Sequence, residues 1–446
     1  MTTQLKRELG LSTAIAMVMG ESIALGIFLT PAAMAKSLGS PLLLLAVWAA
    51  MAVMALAGAL CYAELAAAMP EVGGLYVYLR RFFGDVPAFL YGWMSLAVMD
   101  CGLSAALAVG AVAYINALAP SASHIPARLI AAAILLAIAL VNVRGTRLSG
   151  TLLAIVNALK LGVLALLILW GVFGHAGSTS NLQPFVARHA TADPLFAALA
   201  GAFISAFFSF GGWWDVSKLA GEVRDPQRTV PRAMLFGVVG VGLVYSLLSV
   251  AFLYVVPLAS VNSNEAFVAQ FGEALFGRIG ASILAACVLV CVIGGLWALM
   301  MAAPRVYFAM AEKGEMFASI GRTWPRYGTP ANAILLQLAC SLLALFIGGF
   351  QQIIAYVIFM AVLFLALTAS AVFRLESARE RWWYPFAPIL FILCSVAVAG
   401  MILMNNPRQA VLGAVVVASG YPLHLWMRHR YAAPLSSAHA IKEEYV

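Results

Sequence analysis

Five charged side chains lie inside long apolar stretches of this 446-residue chain: Glu21, Glu64, Asp100, Lys160 and Asp215. A charge in hydrocarbon costs at least ~2.5 kcal/mol, so each needs a partner or a task. Buried carboxylates and ammoniums can titrate, hold a cation, or bond the polar ends of helices. Lys160 is the sharpest case, alone within TLLAIVNALKLGVLALLILWG (151–171) and too deep to reach either surface. It is expected to face the interior beside a break in the first apolar stretch. There its ammonium can bond carbonyls freed by unwinding, in the place a sodium ion could take; the alternative is an ion pair with Glu21 or Asp100. Glu21 has three readings: a proton-titrating group, a partner for Lys160, or the surface-facing end of a first half-helix. Glu64 reads as structural, and Asp100 and Asp215 as either packing networks or walls of a polar path.

Other chemistry finds no support. None of the six histidines (124, 175, 189, 424, 429, 439) sits mid-stretch, and no Ser–His–acid or metal-ligand grouping occurs. The six cysteines lie in apolar runs without metal-ligand spacing and read as small core residues. No enzyme, metal or cofactor is expected.

The elements that carry these residues follow from composition. Hydrophobic residues make up 64% of the chain and charged ones 10%, against ~25% charged in a soluble domain. Too few charges remain to cover a water-facing surface, so the solvent is lipid. Runs such as LLLLAVWAAMAVMALAGAL (42–60) are continuously apolar rather than alternating, which selects helices over a barrel. The expectation is an all-α integral membrane protein with twelve spans. They fall near 11–37, 41–69, 86–118, 126–143, 150–173, 195–222, 231–256, 280–312, 330–349, 351–373, 385–404 and 409–427. A surface helix is expected at 264–277. No cleavable signal is expected, since the first apolar run continues past Ala35.

The net charge of +8 does not point to nucleic acid, because the basic residues alternate between loops. Of the 26 Lys and Arg, twenty fall on the side of the N-terminus, Lys218 and Arg305 among them; five fall opposite, and Lys160 lies in a span. That bias gives both termini on the cytoplasmic side of a cell membrane.

Two spans read as interrupted, the first at GESIALGIF (20–28) and the sixth at FSFGGWWD (208–215). Each places poor helix-forming glycines beside an acid near mid-bilayer. Paired broken helices in corresponding positions mark a transport site; glycines that merely permit close helix packing are the plainer reading. A half-helix N-terminus favours a carboxylate and a C-terminal end offers carbonyls to an ammonium, so two breaks suit a zwitterion. Leu25 and Gly26 supply N–H groups, and Ser22, Phe208 and Gly211 carbonyls. Ala24, Gly212 and Trp214 complete the wall, and Phe208, Trp213 and Trp214 shape or gate it.

These residues resemble the amino acid–polyamine–organocation superfamily, within it the L-amino acid transporter-like family, and are similar to its bacterial serine/threonine exchangers. GESIALGIF stands where the family has G-x-x-I-G-S-G-I-F. AELAAAMPEVGGLYVYL (63–79), FSFGGWW with GEVRDPQRTVPRAM (221–234), and PRVYFAMAEKGEM (304–316) follow in order, and Lys160 falls where several members carry a lysine. The resemblance implies a single domain with the five-plus-five inverted repeat of sodium-coupled leucine transporters. Repeat one covers about 11–173, repeat two about 195–373, and two added helices about 385–427. It also implies alternating access and sodium-independent exchange, with Leu25 and Gly26 at the substrate carboxylate. Ser22, Phe208 and Gly211 meet the amine, Phe208 closes the outer side, and Lys160 supports the unwound first helix. Ala24-Leu25 replaces the family's Gly-Ser and Glu21 a neutral residue, which leaves the substrate range open. A small neutral amino acid is expected, with proton-coupled symport involving Glu21 or Asp100, cationic amino acid or polyamine transport, and non-transporting sensing as alternatives. Beyond the substrate and the bilayer, no obligatory protein partner is inferred.

Overall fold

A computed structural model describes residues 5–431 apart from 25, 184, 189–191, 258–263 and 348–349. Among the described residues the ordered elements are helices, with two isolated β-bridges, Leu9 to Val223 and Trp324 to Thr329. Among the described residues, eight helical runs are long and apolar enough to cross a membrane, joined by shorter apolar helices at Ala127–Val143, Ala331–Ile347 and Ile358–Arg374.

The first apolar stretch divides into α1 (Leu11–Ser22), α2 (Gly26–Leu29) and α3 (Pro31–Leu38). Then come α4 (Pro41–Ala68), α5 (Leu75–Phe83), α6 (Asp85–Met94) and α7 (Asp100–Leu118), the last two joined through a π-helical turn at Ser95–Met99. The sequence offers no Pro or Gly inside that turn, so the expected uninterrupted third span concealed it. Next are α8 (Ala127–Val143), α9 (Thr146–Phe173) and α10 (Leu195–Phe210), the last followed by a 3₁₀ segment at Asp215–Glu222. The long α11 (Pro226–Val255) starts five residues before the expected position, with Pro226 in its first turn and Pro231 inside. Pro suits a first helical turn, whose N–H groups have no acceptor within the helix.

The expected surface helix is α12 (Asn264–Phe276). The eighth stretch is α13 (Gly280–Ala302) plus α14 (Pro304–Glu312), divided where Pro304 cannot donate its hydrogen bond. The remaining spans follow as α15 (Ala331–Ile347) and α16 (Phe350–Ser370), then a short α17 (Glu376–Arg379), α18 (Phe386–Asn405), α19 (Pro407–Ala418) and α20 (Gly420–Tyr431). α1 packs against α9, α11 and α13, while α10 packs against α4 and touches α2. The first break is thereby enclosed by helices from distant parts of the chain.

Two basic residues depart from the charge reading. Lys218 and Arg305, expected in surface loops, are both buried. Arg305 grips Glu222 through two hydrogen bonds, Nε to Oε1 at 2.7 Å and Nη2 to Oε2 at 3.2 Å, and Thr146 adds a hydroxyl bond of 2.6 Å to the same carboxylate. Loop composition cannot reveal this, because the partners lie 83 residues apart. The bidentate geometry satisfies the guanidinium that low dielectric would otherwise penalise. Glu64 fits its structural reading through a 3.0 Å bridge to Arg381. Removing one partner of a buried pair strands the other, so Glu222→Ala should cost about 3–5 kcal/mol. A large fall in detergent melting temperature checks this, and an unchanged melt would show the pair to be dispensable.

A candidate site between two broken helices

The first break begins where α1 ends at Ser22. The Ile23 N–H still reaches Met19 O at 2.9 Å, but the Ala24 N–H turns to Ser22 O at 3.0 Å and abandons the carbonyl of Gly20. A helical Ala24 would have bonded that carbonyl. Lys160 takes its place, with Nζ donating to Gly20 O at 2.9 Å and to Cys291 O at 3.5 Å. Its side chain is fully buried, and among the described residues it forms no salt bridge. The geometry is the carbonyl-bonding arrangement rather than the ion pair with Glu21 or Asp100.

The second break follows α10. The Gly211 N–H bonds Phe208 O at 3.2 Å, Gly212 adopts φ +100, and the Asp215 N–H returns to Gly212 O at 2.9 Å. Gly212 takes a backbone region that side chains rarely enter. A Cβ there would also lie 2.5 Å from Glu21 Cγ. The two breaks therefore touch, and Glu21 lies directly over the second one.

Tyr245 of α11 joins them from behind. Its hydroxyl is 2.6 Å from Ser22 O and 2.7 Å from Ser209 O, so one proton serves the carbonyls at both half-helix ends. Trp48 and Phe210 hold its ring edge-on at 5.1 Å. On the far side of the break Thr30 Oγ1 bonds Gly26 O at 2.8 Å and meets Ser209 Oγ at 3.1 Å. Gly26 is compelled by space: a Cβ would come within 2.8 Å of the Ser209 main chain.

The remaining site residues fall as follows. Ser22, Ala24, Gly26, Gly211, Gly212 and Trp214 cluster at the two breaks. The Ser22 hydroxyl is buried and has no partner among the described residues, Trp213 and Trp214 stack edge-on at 5.3 Å, and Phe208 is 43% exposed. Leu25 lies outside the described residues. Asp100 and Asp215 both face Lys218, at 3.3 and 2.8 Å. Tyr245 and Lys218 were not foreseen. A tyrosine in an apolar span carries no local signal, whereas the spacing of Asp215, Lys218 and Glu222 along one segment could have pointed to a paired lysine.

A model of amino acid permeases matches residues 9–422. The chain belongs to the amino acid permease family. It is similar to the Bacillus subtilis (strain 168) serine/threonine exchanger SteT, 29% identical over 96% of this chain and 98% of that one. It is also similar to the mouse b(0,+)-type amino acid transporter 1, 28% identical over 98% and 91%, and to the rat large neutral amino acids transporter small subunit 2, 29% identical over 94% and 80%. This permease is accordingly a multi-span membrane transporter of amino acids and not an enzyme.

Lys160→Ala leaves Gly20 O without a donor in a dry interior, a loss of about 1–3 kcal/mol. Transport should drop sharply while the folded protein persists; normal vesicle uptake by this variant would contradict the role. Gly26→Ala should abolish transport through the clash with Ser209, and wild-type uptake would show that α2 is free to shift.

Proposed function

We propose that this permease is a sodium-independent exchanger of small neutral L-amino acids working by alternating access. The observation that supports it best is the contact between the two breaks, which gathers main-chain ends of opposite polarity in one place. The first residues of α2 present N–H groups without helical acceptors, suited to a carboxylate, and the ends of α1 and α10 present carbonyls, suited to an ammonium. In this reading Leu25 and Gly26 bind the carboxylate, and the carbonyls of Ser22, Phe208 and Gly211 receive the amine. Ser22 O already accepts from the Ala24 N–H and the Tyr245 hydroxyl, so in this reading the amine displaces one of them. Ala24, Gly212 and Trp214 bound the pocket, and Phe208 closes it.

Sodium independence is supported by Lys160. Its ammonium already donates a hydrogen bond to the freed Gly20 carbonyl, and a cation bound there would meet a like charge. The architecture in this proposal is twelve spans as two inverted five-helix repeats, 11–173 and 195–373, with 385–427 added. Both termini face the cytoplasm across the cell membrane, and no obligatory protein partner is needed. The names of the similar proteins, an exchanger of serine and threonine and a carrier of large neutral amino acids, agree with neutral substrates.

Purified protein in liposomes preloaded with serine should take up labelled serine or alanine saturably, with no change when potassium replaces sodium. Uptake absent without internal amino acid supports exchange, and sodium-driven accumulation would overturn it. Gly211→Leu should abolish substrate-induced thermal stabilisation, because the added side chain points toward Phe208 O and Trp214, 3.2 and 3.5 Å from the Cβ position.

A further inference from the structure

The connection from α14 to α15 gathers positive charge. No Asp or Glu occurs between Glu315 and Glu376, whereas Arg322 and Arg326 both lie in this connection. Both are exposed. Lys6 reaches the same place from the N-terminus, its stem 3.7 Å from where a Cβ on Gly328 would stand. Among the described residues none of the three forms a salt bridge. Glu315 is occupied elsewhere, buried and accepting the Tyr76 hydroxyl at 2.7 Å.

These cations flank a cleft that the fold builds. Arg322, Thr323, Trp324, Pro325, Ala331 and Asn332 line a cavity of about 280 Å³, near the small end of ligand-binding clefts. Its walls are tied on both sides. The Trp324 N–H bonds Thr329 O at 2.8 Å, and the Gly328 N–H returns to Trp324 O at 2.8 Å, closing a tight turn. Gly328 takes a φ of +66 there, a region open to glycine. Thr329 Oγ1 fastens the turn to the end of α8 through Val143 O at 2.8 Å, and Asn332 Nδ2 fastens the start of α15 to Ser319 O at 2.6 Å. The Arg326 guanidinium rests over the Tyr327 ring at 5.3 Å. The cleft is therefore formed without a ligand.

Its depth in the bilayer follows from the helices beside it. α15 packs against α8. Leu335 on α15 and Leu136 and Leu140 on α8 are exposed, and exposed leucines on spanning helices face lipid. Leu335 lies one turn beyond Ala331, roughly 6 Å along the helix axis. The hydrocarbon therefore ends about where the cleft begins, at the level of the lipid headgroups. Trp324, itself exposed, stands at that boundary, where tryptophan is favoured.

We propose that this cleft binds the phosphate of an anionic membrane lipid, with Arg322 as its main donor and Arg326 and Lys6 adding charge at the rim. A guanidinium meets a phosphate with two parallel N–H groups, and basic pockets beside spanning helices suit anionic headgroups. The acyl chains then continue along the exposed leucines of α8 and α15, which a free phosphate leaves uncovered. The site lies on the face of the N-terminus, away from the two breaks, and does not depend on the exchange reading.

The test titrates the full chain in detergent with short-chain phosphatidylglycerol and follows the rise in melting temperature. Phosphatidylcholine with the same chains and inorganic phosphate are the parallel titrants. Phosphatidylglycerol should bind saturably, and phosphatidylcholine and phosphate much more weakly. Arg322→Gln keeps most of the stem and should melt like wild type without lipid. It should bind phosphatidylglycerol about fivefold more weakly, and about 25-fold with Arg326→Gln added, as the loss of one and two surface cations requires. Arg278→Gln, at the exposed start of α13, should bind as wild type does. Equal binding by wild type and Arg322→Gln, or equal weakening in Arg278→Gln, overturns the site. Equal binding of phosphatidylcholine, or full displacement of phosphatidylglycerol by millimolar phosphate, overturns the assignment to an anionic lipid.

Discussion

A main-chain carbonyl or amide in hydrocarbon must find a partner within the protein, because no water is there to supply one. This chain interrupts two spans side by side, and the surrounding helices are arranged around the polar groups that the interruptions set free. Lys160 reaches from α9 to the carbonyl that Ala24 abandons. Tyr245 reaches from α11 to the carbonyls at both half-helix ends. Each stands in for a helical hydrogen bond, and each comes from a helix that packs against α1. The breaks persist because these partners hold them open, and the same main-chain groups then make a ready cradle for a zwitterion.

The glycines serve that contact in different ways. Gly212 provides the backbone turn and leaves room for the Glu21 side chain, while Gly26 lets the start of α2 press onto Ser209. Gly295 lets α13 approach the first break, where a Cβ would lie 2.8 Å from that of Ala24. Close approach in a membrane rests on small residues, since lipid offers no hydrophobic drive for helices to associate. Here the same residues also bring charges together. Glu21 comes to lie over Gly212, three residues before the Asp215 that pairs with Lys218.

Much of this could be read in the sequence. Unbroken apolar runs located the helices because lipid imposes length and composition directly. A glycine-rich motif beside an acid marked each interruption, and the isolation of Lys160 marked its task. The hidden features depend on partners remote in sequence. The π-helical turn at Ser95–Met99 has no local signal, and Tyr245 looks like any aromatic residue in an apolar span. Lys218 and Arg305 were counted as loop charges because charge counting sees position and not pairing. Asp215 stands three residues from Lys218, but Asp100 and the Glu222 that pairs with Arg305 reach their partners only when the sixth stretch folds back against α7 and α14.

The contact between the breaks, with main-chain groups available to a ligand, is tested most directly by hydrogen–deuterium exchange of the purified protein with and without serine. Substrate should slow exchange at the amides from Ile23 to Phe28 and from Gly211 to Asp215 together, leaving α18 to α20 unchanged. Protection of neither segment by a substrate that the protein transports would contradict the account.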